Sequence, residues 1–266
     1  MSTSSASLPQ PLVREHMTSS VVSVTEDASL EDVLKTLISL DVSCVLVTTA
    51  AGMPVGVVAL SDLARASTIG GTVRGPLTLM PPDGRAKDIM QTPILTVDED
   101  ATIGKAAAKM LTNRVHRLFV RRGERVVGVF STRDALRVVL ARRTDTPLRD
   151  VMAAPVETIS LGAPIEEAVA KLDEANVRGL VVVDGTYPVG AFTQLEAIRA
   201  RALDPSHHQL PVEEIMSYET ITLDASTPLY RAAGHAIATR ARRILVVESR
   251  VLVGVVTGYD LAQTLA

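Results

Sequence analysis

A seven-residue pattern occurs four times in this chain, and this repetition limits the fold more than any other feature of the sequence. Each copy starts with glycine, continues through apolar residues and ends six positions later with an acidic residue: GVVALSD from Gly56, GVFSTRD from Gly128, GAFTQLE from Gly190 and GVVTGYD from Gly254. A methionine precedes the four glycines by 39, 38, 38 and 38 residues, at Met17, Met90, Met152 and Met216. Repeats of near-equal length that fill 266 residues predict four copies of one supersecondary unit.

Within a unit the hydrophobic pattern changes its period in a fixed order. A short β-branched run, such as VVSV from Val21, precedes about three turns of helical spacing, as in SLEDVLKTLISL from Ser29 and TIGKAAAKMLTN from Thr102. Two short apolar runs follow, RLFV and VVGVF in the second unit, and then a further helical segment, TRDALRVVLARR. Pro164 and Pro228 stand where the first helical turn of the third and fourth units is expected, a position that tolerates proline. Each unit is therefore predicted to be strand, helix, strand, strand, helix.

A single unit of this kind has too little core to be stable alone, so we expect the units to pair. The segment STIGGTVRGPLTLMPPDGR, between the first two units, is rich in Gly and Pro and is predicted to be a loop. The segment RRTDTP at residues 142–147 marks the expected midpoint. We predict a flexible tail over residues 1–12 and two domains, residues 13–143 and 144–266.

The composition describes a globular protein that can bury a substantial core, with 47% hydrophobic residues and a net charge of −3. This charge gives no overall reason to expect a nucleic-acid partner or an anionic membrane. No apolar run approaches the ~20 residues of a membrane-spanning helix, and the first residues lack the pattern of a signal peptide, so we expect a cytoplasmic protein. The single cysteine, Cys44, lies in the apolar run SCVLV and is interpreted as a core residue.

These residues resemble the CBS domain family. The resemblance rests on the order of the elements, the methionine before the first strand and the terminal pattern of glycine, two apolar residues, Ser or Thr, two variable residues and Asp. It covers about residues 13 to 264. It implies an α/β (α+β) fold in which four CBS repeats pair into two Bateman modules and form a disc-like assembly, as in the gamma subunit of AMP-activated protein kinase. It also implies binding of adenine nucleotides, less often of S-adenosylmethionine, and regulation of another protein, with no catalytic residues.

The terminal pattern has two interpretations, and the sequence leaves both open. Ser131 with Asp134 is typical of a capping box, which stabilises a helix by about 1 kcal/mol without any ligand. The resemblance implies instead that the Asp accepts from the ribose hydroxyls and that the Ser or Thr lines the ribose or phosphate. Asp134 with Ser131 and Asp260 with Thr257 are then the intact pairs. The first unit has Asp62 with Ala59 at the hydroxyl position and Ser61 as a partial substitute, and the third has Thr193 with Glu196.

Cationic residues precede the second strand in the two units whose terminal pattern is intact. The resemblance implies that a His-Arg pair at this place contacts phosphate, which matches His116 and Arg117; the fourth unit has Arg242 and Arg243, and the third only Arg178. Arg114 and Arg240 lie beside these clusters, and Arg133 is a further candidate phosphate donor. The residues implied to flank the adenine are Val21, Ile94, Val156 and Thr220, which open the first strands. Solvent-facing charges and ordinary core residues are the alternative interpretations.

The leading functional hypothesis is a sensor of AMP, ADP or ATP that acts on a separate, unidentified protein. A scaffold whose terminal patterns are only helix caps is the alternative, and a binder of S-adenosylmethionine is a second. The sequence contains no nucleophile-base pair, metal-ligand cluster or GxxxxGK loop, so we expect no enzyme activity, no metal and no required cofactor. We expect no membrane anchor and no nucleic-acid partner, and a homodimer through the module faces stays open.

Overall fold

The computed structural model of the protein describes residues 11–69, 84–175, 177–201 and 203–266. The first repeat contains β1 (Ser23–Thr25), α1 (Leu30–Ser39), β2 (Cys44–Thr48), β3 (Pro54–Ala59) and α2 (Leu60–Ile69). The second contains α3 (Ala86–Ile89), β4 (Thr96–Asp98), α4 (Ile103–Thr112), β5 (Arg117–Arg122), β6 (Arg125–Ser131) and α5 (Thr132–Arg142).

The third repeat contains β7 (Thr158–Ser160), α6 (Ile165–Glu174), β8 (Gly179–Asp184), β9 (Tyr187–Thr193) and α7 (Gln194–Arg201). The fourth contains β10 (Thr220–Asp224), α8 (Leu229–Thr239), β11 (Arg243–Glu248), β12 (Val251–Thr257) and α9 (Gly258–Gln263). Short 3-10 turns, Val13–Glu15, Leu148–Asp150 and Val212–Glu214, open the first, third and fourth repeats where α3 opens the second.

Each repeat has its own three-stranded sheet in which the first strand pairs in parallel with the second and the second pairs antiparallel with the third. The parallel pair needs a crossover, which the first helix of each repeat supplies, whereas a short turn joins the antiparallel pair. The predicted order of strand, helix, strand, strand, helix is therefore confirmed in every repeat, and the fold is α+β.

The first helices begin where the sequence indicates, with one difference. The side chains of Ser29 and Thr102 cap α1 and α4 by accepting from backbone N–H groups three residues later, at 3.0 and 3.3 Å. Pro164 and Pro228 lie one residue before α6 and α8, not within their first turns. Proline does not fit at the first helical residue, because the backbone N–H of that residue donates a hydrogen bond. In α6 it donates to the carbonyl of Leu210, and in α8 to the carbonyl of Thr146.

The first strands are shorter than predicted. Val21, Ile94 and Val156 lie two residues before β1, β4 and β7, and only Thr220 opens a strand, β10. The cause is visible in the first repeat, where parallel pairing starts at Ser23 opposite Leu46. The chain just before it bridges the sheet of the second repeat at Thr18 and Val129, so the intervening residues cross between two sheets.

In each pair of repeats, the methionine of one repeat contacts the glycine of the other repeat, not the glycine of its own. A Cβ built on Gly128 would lie 2.8 Å from Sδ of Met17, and one built on Gly190 would lie 2.9 Å from Sδ of Met216. Met90 contacts Gly56 and Met152 contacts Gly254 in the same way. The first repeat thus exchanges its opening segment with the second, and the third with the fourth. Only glycine leaves room for the thioether at these four positions.

The exchange extends to the helix N-termini. The N–H of Ile103 in α4 donates to the carbonyl of Pro11 at 3.0 Å, and the N–H of Leu30 in α1 donates to the carbonyl of Gly84 at 3.1 Å. Of the predicted tail, residues 1–10 lie outside the described residues, whereas Pro11 and Leu12 pair with the start of α4 and do not lie loose. Residues 70–83 of the predicted loop also lie outside the described residues.

The two pairs of repeats meet through their helices. Repeats one and three join where α2 packs against α7, and repeats two and four join where α5 packs against α8 and α9. Ala135 and Val139 of α5 and Ala232 and Ala233 of α8 are fully buried in one shared core, where small side chains let the helices approach closely. The assignment of residues 143 and 144 as the boundary between two domains stays a prediction.

We expect Gly128→Ala to lower the free energy of unfolding by about 1 to 3 kcal/mol, the usual cost of overpacking a filled site. The added Cβ would meet Sδ of Met17 at 2.8 Å and the carbonyl oxygen of Thr18 at 2.9 Å, and that carbonyl is held by the N–H of Val129. Urea unfolding measures the change. Gly162→Ala is the control, because nothing lies within 4 Å of its added Cβ. Equal losses in both variants would contradict the role of the methionine contact.

Candidate functional site

The acidic residue that ends each repeated pattern caps the helix that follows. The Oδ2 atom of Asp134 accepts from N–H and Oγ of Ser131 at 2.8 and 2.7 Å. Asp260 accepts from N–H and Oγ1 of Thr257 at 2.7 Å each. Glu196 accepts from both groups of Thr193, and Asp62 from the N–H of Ala59. The capping interpretation is therefore confirmed in all four repeats, and any ligand role has to use the remaining carboxylate oxygen.

That remaining oxygen is enclosed in three of the four repeats. Asp134 is 1% exposed, and its Oδ1 atom accepts from Nη1 of Arg137 at 2.7 Å and from Oγ1 of Thr18 at 3.4 Å. Glu196 is 2% exposed and lies 3.6 Å from Arg199, and Asp62 is 5% exposed. A ribose could reach Asp134 only by replacing hydrogen bonds that the protein already makes.

Asp260 differs from the other three acids. It is half-buried, and its Oδ2 atom holds both hydrogen bonds of the cap. Among the described residues, no group donates to its Oδ1 atom, which can therefore accept a further hydrogen bond without breaking one.

Three repeats bring three arginines and one histidine together. We call His116 and Arg117 of the second repeat, Arg178 of the third and Arg243 of the fourth the central cation cluster. Burial and then the charges of Arg178, Arg117 and Arg243 lower the pKa of His116 to about 4. The ring of Tyr259, the neighbour of Asp260, lies edge-on to the His116 ring with 5.4 Å between centroids. Asp260 and the cluster are thus connected through this aromatic contact.

Arg243 is the cluster member with the fewest compensating contacts. Burial lowers the pKa of its guanidinium, while the carboxylate of Glu196 opposes this shift. Its Nη2 atom lies 3.4 Å from where a Cβ on Gly179 would sit, so the missing side chain of Gly179 gives the guanidinium room. Within the described residues, Arg243 has no side-chain hydrogen bond and no ion pair. A half-buried positive charge with so few partners is costly, and an anion would compensate it.

Two cations of the cluster contact the repeat that pairs with their own. Arg117 donates from Nη2 to Oγ of Ser43 in the first repeat, and Arg243 lies near Gly179 and Glu196 of the third. The reason is the pairing of repeats, which turns the start of one repeat's second strand toward the other repeat. The grouping of His116 and Arg117 with Asp134 in one site stays a prediction.

Two predicted phosphate donors are engaged elsewhere. Arg133 and Arg242 share the carboxylate of Asp41, with Arg133 at 3.3 Å, and Nε of Arg242 also lies 3.0 Å from Glu219. Both guanidiniums are therefore neutralised by acids of the protein. Arg114 and Arg240 have exposed side chains, and the carbonyl of Arg114 accepts from Arg178 at 3.3 Å. Neither of them joins the central cation cluster.

The residues predicted to flank the base lie mostly in apolar surroundings. Val21 and Ile94 pack on a small core with Cys44, Leu46 and Phe119 between the sheets of the first pair. Burial raises the pKa of the Cys44 thiol, as the core interpretation of this residue requires. Val156 and Thr220 are half-buried, and their contacts are compatible with both base binding and packing. Ser61, the partial substitute for the hydroxyl in the first repeat, is also half-buried.

Sequence reasoning missed Thr18, Gly179 and Tyr259. Tyr259 stands inside the repeated pattern GVVTGYD, so its position was a usable signal. Thr18 and Gly179 had no such signal, because their roles follow from which repeats pair. In the described part of the chain, no three His, Cys, Asp or Glu side chains lie close enough to hold a metal ion. None of the helices in these residues is long and apolar enough to cross a membrane.

The lowered pKa of His116 predicts a pH dependence of stability. Its pKa is about 6.5 in the unfolded chain and about 4 in the folded protein, so the unfolded state binds the proton more readily in this range. The free energy of unfolding is therefore unaffected by His116 titration above about pH 6.5. As the pH falls toward 4, protonation of His116 in the unfolded chain lowers this free energy by up to about 3 kcal/mol. Urea unfolding of the wild type and His116→Gln across this range measures it. A variant with the same pH slope as the wild type would exclude His116 as the cause.

Comparison with known proteins agrees with this geometry. The model of the CBS domain family matches residues 13–68, 86–141, 148–203 and 212–266. The crystal structure of MJ1225 from Methanocaldococcus jannaschii, proposed to be an archaeal homologue of γ-AMPK, is similar with a TM-score of 0.78 and 18% identity, over 96% of this chain and 100% of that one. By sequence, MJ1225 is 28% identical over 192 residues, which are 65% of this chain and 68% of MJ1225.

Two further proteins are similar. An uncharacterised conserved protein from Pyrococcus horikoshii has a TM-score of 0.67 and 20% identity, over 96% of this chain and all of that one. The uncharacterised protein MJ1404 of M. jannaschii is 29% identical over 133 residues, which are 44% of this chain and 32% of MJ1404, so the match spans about a third of that relative. Because the family model matches four successive segments that make up most of the chain, this protein belongs to the CBS domain family.

Proposed function

We propose that this protein binds an adenine nucleotide, AMP, ADP or ATP, and regulates a separate protein. The observation that carries the proposal is the Oδ1 atom of Asp260, an acceptor without a donor among the described residues. Its neighbour Tyr259 contacts the ring of His116, a member of the central cation cluster. A nucleotide has two groups that fit these features. Its ribose diol donates hydrogen bonds to a carboxylate, and its phosphate accepts them from guanidinium groups and from an imidazole N–H.

The register of the fourth sheet supports this division of roles. Arg243 in β11 lies opposite Thr257 in β12, and Thr257 donates to Asp260. The ribose carboxylate and a phosphate donor are thus positioned by two adjacent strands. Arg243 is also the cluster member that gains most from an anion, because the surrounding protein offers it the fewest partners. Phosphate binding would relieve the repulsion among the three arginines of the cluster.

The four candidate sites are proposed to fill unequally. Asp260 with Thr257 comes first, because ligand binding there breaks no protein contact. Asp134 with Ser131 is second, since a ribose would have to displace Thr18 or Arg137 from the carboxylate. The sites at Asp62 and at Glu196 with Thr193 are weaker still. In this proposal Arg117 and Arg178 contribute to phosphate binding together with His116.

The regulatory part of the proposal rests on where the cluster's residues come from. His116 and Arg117 belong to the first pair of repeats, and Arg178 and Arg243 belong to the second. A ligand that neutralises them stabilises the arrangement in which the two pairs are close, and only such a differential interaction can shift a conformational equilibrium. The likeness to MJ1225, proposed as a homologue of γ-AMPK, supports a regulatory role.

Other interpretations lead to different ligands or to none. In a scaffold, all four acids would serve only as helix caps. The enclosed carboxylates of Asp134 and Glu196 are compatible with this role. S-adenosylmethionine shares the ribose but carries no phosphate, so it would use Asp260 without the cluster. A thermal-shift panel of AMP, ADP, ATP and S-adenosylmethionine separates these cases. The regulated partner, the cytoplasmic location and the absence of catalysis stay predictions.

We expect Asp260→Ala to weaken AMP binding about ten- to a hundredfold, because hydrogen bonds to a charged group are worth ~1.5 to 3 kcal/mol. Asp134→Ala should weaken it less. Isothermal titration calorimetry measures affinity and stoichiometry. Asp32→Ala is the control, because Asp32 also caps a helix, with Ser29, but lies on an exposed surface. Wild-type AMP affinity in Asp260→Ala would reject the ribose role of Asp260. If Asp32→Ala weakened AMP binding by as much as Asp260→Ala, the effect of Asp260→Ala would be due to the loss of a helix cap.

Removal of a cluster charge should affect phosphate more than ribose. We expect Arg243→Met to weaken AMP binding about tenfold or more and adenosine binding little, because adenosine has no phosphate. Arg125→Met, at the exposed start of β6, is the control and should change neither affinity. Titrations of both ligands at one salt concentration make the comparison. Equal losses for AMP and adenosine would mean that Arg243 acts through the fold and not through phosphate.

A further inference from the structure

The outer face of the α5 and α8 helix pair carries two cavities that the nucleotide site does not use. The first is a shallow, open depression of about 380 Å³, lined by Leu140 of α5 and by residues along α8, including Tyr230 and Gly234. The second, about 390 Å³, is more enclosed. It is lined by Arg133, Leu136 and Arg137 of α5, by Leu40 and Asp41 just after α1, and by residues at the end of α8 and just after it. The two cavities therefore follow one another along the same helix pair.

The charge of this face is one-sided. The exposed arginine side chains on α5 and α8 and just after them are Arg133, Arg137, Arg142, Arg143, Arg231 and Arg240. Arg133 pairs with Asp41 and Arg137 with Asp134, so the last four are the ones without an ion pair among the described residues. The only acid within either helix is Asp134, which is 1% exposed and bound in its cap. The corresponding helix of the third repeat, α6, instead carries Glu166, Glu167, Asp173 and Glu174. In a protein with a net charge of −3, this is a local concentration of positive charge.

Apolar surface accompanies the charge. Leu140 is 38% exposed at the first cavity, and Leu40 is 55% exposed at the second. Tyr230 lies between two guanidiniums, with Arg143 at 5.6 Å and Arg231 at 5.7 Å from its ring centroid. An exposed apolar surface bordered by charge of one sign is typical of a site for a protein partner.

We propose that the α5 and α8 face docks an acidic amphipathic segment of a partner protein, whose apolar side chains enter the two cavities and whose carboxylates meet the arginines. α8 has 11 residues and is about 16 Å long, so a partner helix of about three turns would span it. The cavities favour a protein over nucleic acid, because a phosphate backbone has no side chains to fill them and Tyr230 is already covered by arginines. The separation into two pockets favours side chains over a continuous lipid surface.

The first cavity is separate from the proposed nucleotide sites, whereas Arg137 at the second also binds Asp134. Asp134 lies at the start of α5 and points into the fold, whereas Leu140 and Arg142 lie near its end on the surface. Substitutions at the far end of α5 and on α8 therefore test docking without touching the residues proposed to bind ribose or phosphate.

The test uses a fluorescein-labelled synthetic peptide with leucines at helical spacing and glutamate at the other positions, titrated with the full chain by fluorescence anisotropy. We expect binding that weakens with salt. Arg231→Glu and Arg142→Glu should each weaken it about tenfold or more, and Leu140→Ser should weaken it without a change of charge. Circular dichroism melts confirm that each variant folds.

Lys105→Glu is the matched control, because Lys105 is the third residue of α4 as Arg231 is the third residue of α8. It makes the same change in net charge and should leave binding within about twofold of the wild type. The proposal is overturned if the peptide does not bind, if its all-lysine counterpart binds equally well, or if Lys105→Glu loses as much affinity as Arg231→Glu. Tighter binding of a single-stranded oligonucleotide or of anionic vesicles, lost in Arg231→Glu, would assign the face to nucleic acid or membrane and also overturn it.

Discussion

The contact between a methionine of one repeat and a glycine of its partner is the interaction on which the rest of the structure depends. Met17 and Met90 of the first pair occupy the space that a side chain on Gly128 and Gly56 would take. Next to each contact, a backbone bridge attaches the opening segment of one repeat to the third strand of the other, as at Thr18 and Val129. Each sheet is thus extended by a segment of the paired repeat, and the helices join the two pairs.

This exchange also explains the electrostatics of the centre. Because paired repeats face each other at the start of their second strands, Arg117 reaches Ser43 and Arg243 reaches Gly179 in the neighbouring repeat. Both arginines then lie near His116 and Arg178, and the pKa of His116 falls. The positive charge of the centre is thus a product of assembly, and no single repeat contains it. The proposed phosphate site therefore requires residues of both pairs.

Much of the fold could be predicted from the sequence, because its signals are local. The caps at Ser29 and Thr102 and the strand patterns depend on residues within a few positions of one another. The site was harder, because its geometry depends on which repeats pair. The sequence favoured Asp134 and Asp260 equally, but the side chains of Thr18 and Arg137 enclose Asp134, and among the described residues no such groups donate to the free oxygen of Asp260. Arg133 and Arg242 matched the expected phosphate positions, yet both bind Asp41, which is distant from them in the sequence.

The reciprocal exchange restricts how a chain of this kind can change during gene duplication. Loss of one repeat would leave a glycine such as Gly128 without its methionine and a third strand without the segment that bridges it. Loss of two paired repeats would leave no such gap, since each pair completes its own exchange. The exchange therefore favours gain or loss of repeats in pairs, and an unpaired copy would need a second chain to fill the space beside its glycine.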